Sequence, residues 1–95
     1  MFPDDARNAI GRGLYRLQIG EQLGMPVARS MPAIGTGVSE LRVRDGAGIY
    51  RVFYYVAMAK SVLVFHAFQK KDQTTPLAEV RLAARRLKEM LHEES

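Results

Sequence analysis

Arg51 stands near the start of one apolar run, and His66, Lys70 and Lys71 close the next one. Fixed positive charge and a titratable imidazole are thereby set along two strand-like segments. Cations held on a rigid sheet suit the binding of a phosphodiester and the stabilisation of charge on its oxygens. Upstream, Glu40, Arg42 and Arg44 recur at every second residue. A carboxylate between guanidinium groups is held ionised and can take a proton from a hydroxyl, which makes Glu40 a candidate general base.

Each of these residues also has a plainer reading. Glu40 with Arg42 and Arg44 makes a cross-strand ion pair on a solvated face, worth about 0.2 to 1 kcal/mol. Lys70 and Lys71 read as a strand end entering solvent. His66, inside an apolar run, reads as a packed and hydrogen-bonded core residue. Tyr50, Tyr54 and Tyr55 are core by position, although aromatic rings also stack on bases. Two distant histidines and no cysteine give no zinc ligand set. Gly35-Thr36-Gly37 is too short for a phosphate loop, so neither a metal nor an organic cofactor is indicated.

Strand alternation sorts the candidates by face. Arg51, Phe53 and Tyr55 share one face, and Phe65, Ala67, Gln69 and Lys71 form one set on the next strand, with His66, Phe68 and Lys70 opposite. If the strands pair in register, Lys71 joins Arg51 while Lys70 and His66 turn away.

The elements that hold these residues follow from periodicity and punctuation. Ala6, Ile10, Leu14 and Leu17 predict a helix from Asp4 or Asp5 to about Ile19, with acidic residues in its first turn. Gly11 and Gly13 each cost about 1 kcal/mol in a helix interior, which suggests close packing against a sheet. The Gly- and Pro-rich stretch from Gly20 to Gly37 reads as a long loop. Val38 to Arg44 and Ile49 to Val56 predict a hairpin turning at Asp45 to Gly48. Ser61 to Lys70 predicts a third strand, apolar on both faces and so central or covered on both sides. Thr75 as N-cap, Pro76 at the first helical position and Glu79 open a last helix whose apolar face is Leu77, Val80, Ala84, Leu87 and Leu91. The fold class is α+β: an antiparallel sheet of about three strands flanked by an N-terminal and a C-terminal helix.

Composition agrees with one globular domain over residues 1–95, with 47% apolar and 25% charged residues. A net charge of +4 favours an anionic partner. No run approaches the about 20 apolar residues of a membrane span, and the start lacks a signal-peptide pattern, so the cytoplasm is the expected compartment.

The segments Gly37-Val38-Ser39-Glu40-Leu41-Arg42, Tyr50-Arg51-Val52-Phe53-Tyr54, His66-Ala67-Phe68-Gln69-Lys70-Lys71 and Thr75-Pro76 together form a pattern over nearly the whole chain. The chain resembles phage-derived HigB-like toxins of the RelE/ParE superfamily. The resemblance implies a RelE-like curved sheet and the toxin role of a type II toxin-antitoxin pair. Its partners would be a cognate helix-turn-helix antitoxin, mRNA and the ribosome, and a homodimer is left open. It implies an mRNA endoribonuclease that uses no cofactor, in which the 2′-hydroxyl attacks the adjacent phosphate. By the same resemblance Arg51 contacts the scissile phosphate, Lys71 is the second basic residue, Glu40 is the base and Arg42 a phosphate contact, with Lys70 and His66 as weaker RNA contacts. Such toxins have a further strand and helix before the segment that here starts at Phe2, so a short copy is expected. A catalytically silent, antitoxin-binding homologue and a ParE-like gyrase inhibitor are the alternative roles.

Overall fold

The computed structural model describes residues 2–45, 48–56, 61–70 and 76–94. The element order is α1 (Asp4–Gln18), β1 (Ala28–Ser30), β2 (Val38–Asp45), β3 (Gly48–Val56), β4 (Val62–Lys70) and α2 (Leu77–Glu94). The strands form one antiparallel sheet in the order β1-β2-β3-β4, with a helix against each face. This is the expected α+β architecture with one strand more than the pattern announced.

α1 carries Asp4 and Asp5 in its first turn and Arg16 in its last, charges that suit the helix dipole. It ends at Gly20, whose φ of 96° continues the chain out of the helix where an L side chain is disfavoured. Ala6 and Leu17 of α1 pack with Leu41, Val43, Tyr50, Val52 and Tyr54 from one face of the sheet. Gly13 lets the helix approach: a Cβ there would meet the Leu41 side chain at 2.9 Å. Gly11 is different, because a Cβ there would meet nothing within 4 Å. The expectation of close packing therefore holds for Gly13 and fails for Gly11, which lies on the outer side of the helix.

The opposite face packs under α2. Val38, Phe53, Phe65 and Phe68 of the sheet meet Ala83 and Leu87 of the helix, with Met31 and Ile34 from the preceding loop. Tyr50 and Tyr54 are buried on the α1 side, as their strand positions suggested, and Phe2 stacks on Tyr50 at 4.8 Å between ring centroids. The expected long loop is interrupted by β1, three residues that pair Arg29 with Glu40. A strand of that length has too few residues to show alternation.

β4 departs from expectation. It is an edge strand, not one covered on both sides, and Val64 is 40% exposed. The cause is the placement of α1, which packs chiefly over β2. A short apolar run cannot by itself tell a covered strand from an edge. Thr75, the expected N-cap of the last helix, lies outside the described residues. Pro76 immediately precedes α2, and its carbonyl accepts from the Glu79 and Val80 amides at 3.0 and 3.2 Å.

Candidate functional site

The register places the candidate side chains on a grid. Directly opposed residues share a face, so one row across the sheet reads Arg29, Glu40, Phe53, His66. The next reads Arg42, Arg51, Phe68, and the third Arg44, Ile49, Lys70. All lie on the face that α2 packs against. The aromatic part of the grid is continuous with the core, and the cationic part extends from it toward the β2–β3 turn.

This register corrects the expected pairing. Arg51 opposes Phe68, so His66, Phe68 and Lys70 share its face, and these are the residues that a simple in-register pairing turned away. Alternation fixes which residues of a strand go together, and only the pairing offset decides which set meets Arg51. The bulge between Phe53 and Tyr54 in this pairing changes the offset once more, so that Tyr54 opposes Val64. Lys71 lies outside the described residues.

At the centre, Arg51 Nη1 donates to Glu40 Oε1 at 2.6 Å, and Arg29 Nη2 donates to the same oxygen at 3.3 Å. Glu40 is 0% and Arg51 1% exposed, while the Arg29 side chain is 41% exposed. The Arg51 Nε is also buried and meets no acceptor among the described residues. Burial pushes the Arg51 guanidinium below its ordinary pKa against the pull of Glu40, and Arg42 and Arg29 add to the lowering. Arg42 sits directly across from Arg51, an opposition of like charges that destabilises a sheet unless something compensates. Lys70 is 5% exposed. Burial pushes its ammonium below the ordinary lysine range, Arg51 adds to the shift and Glu40 opposes it.

His66 is held in a second network. Its Nε2 pairs with Glu79 Oε2, and its Nδ1 lies 2.7 Å from Arg86 Nη1. Because a guanidinium only donates, Nδ1 must accept, which leaves Nε2 to donate to the carboxylate. The ring also packs beside Phe53 and Phe68, with centroids 5.9 and 5.6 Å away. His66 thus ties α2 to β4, in line with a packed core histidine, on the same face as the cation cluster.

Sequence reasoning missed three of these residues. Arg29 sits in the Gly- and Pro-rich stretch, and its only signal was being a cation within reach of the Glu-Leu-Arg strand. Glu79 was read as a helix-start residue, and Arg86 carried no signal beyond lying on the last helix.

The fold and site define an α+β protein whose sheet presents a cation-rich face beside a helix. A family model for the phage-derived Gp49-like proteins (DUF891) matches residues 1–88. The chain belongs to that family, which is a RelE/HigB-like toxin family. No curated protein and no solved structure matches the chain. Among the described residues, no helix is long and apolar enough to cross a membrane.

Proposed function

We propose that the chain is the toxin of a type II toxin-antitoxin pair and cleaves translated mRNA on the ribosome. The observation that carries this reading is the cation surplus on one rigid face. Arg29, Arg42, Arg51 and Lys70 share it with Glu40, which bonds Arg29 and Arg51. An arrangement that opposes Arg42 to Arg51 costs stability in the free protein and gains when an anion settles against it.

In the reaction the 2′-hydroxyl gives up its proton to solvent and attacks the adjacent phosphate, and the bond to the 5′-oxygen breaks as that oxygen takes a proton from solvent, leaving a cyclic phosphate and a 5′-hydroxyl. Arg29 and Arg42, the more exposed cations, meet the phosphoryl oxygens. Arg51 supports them from beneath, and its unmet Nε is a donor to spare. Glu40 has both arginines on one oxygen and no exposed surface, so its part is to orient Arg51. Lys70, on the same face, adds a further cation that steadies the charge developing on the phosphate oxygens. The partner that neutralises the toxin is a cognate antitoxin.

The near-complete burial of Arg51 and Glu40 favours one other reading, in which the pair only staples a catalytically silent, antitoxin-binding homologue. Expression in bacteria separates the two. The toxin reading expects growth arrest and cleaved translated mRNA, both lost in Arg51→Gln and Lys70→Met. Copurification with a neighbouring gene's product, with no cleavage by the native chain, supports the silent homologue instead.

A further inference from the structure

The outer side of α1 carries a feature that the sheet site does not use. Arg7, Gly11 and Tyr15 follow one another at one-turn spacing, and Asn8, Arg12 and Arg16 form the adjacent row. Together these six residues line an open, shallow groove on the helix surface. Tyr15 is 61% exposed beside it. Gly11 opens the groove: a bare position in a helix interior is unfavourable, and no neighbour requires it, since nothing lies within 4 Å of where its Cβ would be.

A second groove, of about 460 Å³, shares Arg12 and Arg16 and reaches Arg42 and Arg44 on β2. Arg42 is the cross-strand neighbour of Arg51. Guanidinium groups therefore continue from the outer side of α1, around β2, to the cation cluster on the far face of the sheet. On α1, two of these cations have exposed acidic neighbours, pairs that water screens. Arg16 pairs with Glu21 at 2.9 Å and Arg7 with Asp4 at 3.7 Å, both in exposed positions.

We propose that this path binds single-stranded RNA, with a base stacked on Tyr15 over the Gly11 gap and the phosphates taken by Arg7, Arg12 and Arg16. Arg44 and Arg42 then lead the strand to the Arg51 cluster. A ribose-phosphate chain carries one charge per nucleotide and a flat face per base, which suits a series of guanidiniums beside an exposed ring. The choice of RNA rests on the proposed function, whereas the existence of the track does not.

The test is binding of a fluorescent eight-nucleotide RNA to the full chain at two salt concentrations, with cleavage of translated mRNA measured on the same proteins. Tyr15→Ser is expected to weaken binding about tenfold. Arg12→Ser with Arg16→Ser should flatten the slope of log affinity against log salt by roughly 1.4. Gly11→Gln should make the protein more heat-stable and yet bind less. Equal binding by native and α1 variants overturns the proposal even if cleavage is intact, and so does tighter binding of polyglutamate through the same residues. Tyr15-dependent binding without any cleavage sustains the track and removes the nuclease reading.

Discussion

Arg51 and Glu40, on neighbouring strands, meet through a 2.6 Å hydrogen bond with almost no surface exposed on either residue. A buried pair of this kind is costly to break from one side, because the remaining charge stays in a poorly solvating place. Arg51→Met should lower unfolding free energy by about 3 to 5 kcal/mol, and Glu40→Leu by a similar amount. The double replacement Arg51→Met with Glu40→Leu should cost far less than the sum. Urea denaturation of the four proteins measures this, and additive losses would show that the two side chains do not act as a pair.

Lys70 makes stability depend on pH in the alkaline range. Its folded pKa lies below the ordinary value of 10.5. Between the lowered value and 10.5, the unfolded chain holds a proton that the folded chain has released, so unfolding free energy rises with pH. Below that window the burial penalty is present in full, and above it the penalty is gone. The stability difference between native protein and Lys70→Met should therefore shift in favour of native as pH climbs through the window. A difference that stays flat means Lys70 pays no burial penalty.

The two helix glycines should respond in opposite directions. Gly13→Ala forces a methyl to within 2.9 Å of the buried Leu41 side chain and should destabilise by roughly 1 to 3 kcal/mol. Gly11→Ala meets nothing and should stabilise by roughly 0.5 to 1 kcal/mol. Thermal unfolding of both variants decides, and equal shifts would contradict the packing described for α1.

His66→Phe keeps a ring beside Phe53 and Phe68 but removes the bonds to Glu79 and Arg86. Both partners reach solvent, so the loss should stay near 1 to 2 kcal/mol. It should appear as faster amide exchange in the first half of α2, with α1 unchanged. Uniform acceleration across the chain would mean that the histidine does not tie α2 in particular.

How far the sequence carried the reading depends on which quantity is asked for. α1, β2, β3, β4 and α2 follow from period and punctuation, because each is long enough to repeat its pattern. β1 has three residues and repeats nothing. The faces of the candidate site were half legible. Alternation joins Glu40 to Arg42, and His66 to Lys70, but the offset that sets Arg51 across from Phe68 comes from how whole strands pack. The prominence given to Lys71 over Lys70 came from the family resemblance and from assuming a different offset. Arg29 was invisible for a related reason, since its role depends on a strand contact made from within a loop-like stretch.

The central claim is that Arg51 organises a site for phosphodiester cleavage, and its most direct test is the single-turnover rate on a programmed ribosome. Native protein should yield cyclic-phosphate and 5′-hydroxyl ends, and Arg51→Gln, if folded by circular dichroism, should be slower by about 10²-fold or more. A folded Arg51→Gln that cuts at the native rate, or a native chain that leaves the mRNA whole, would contradict the account.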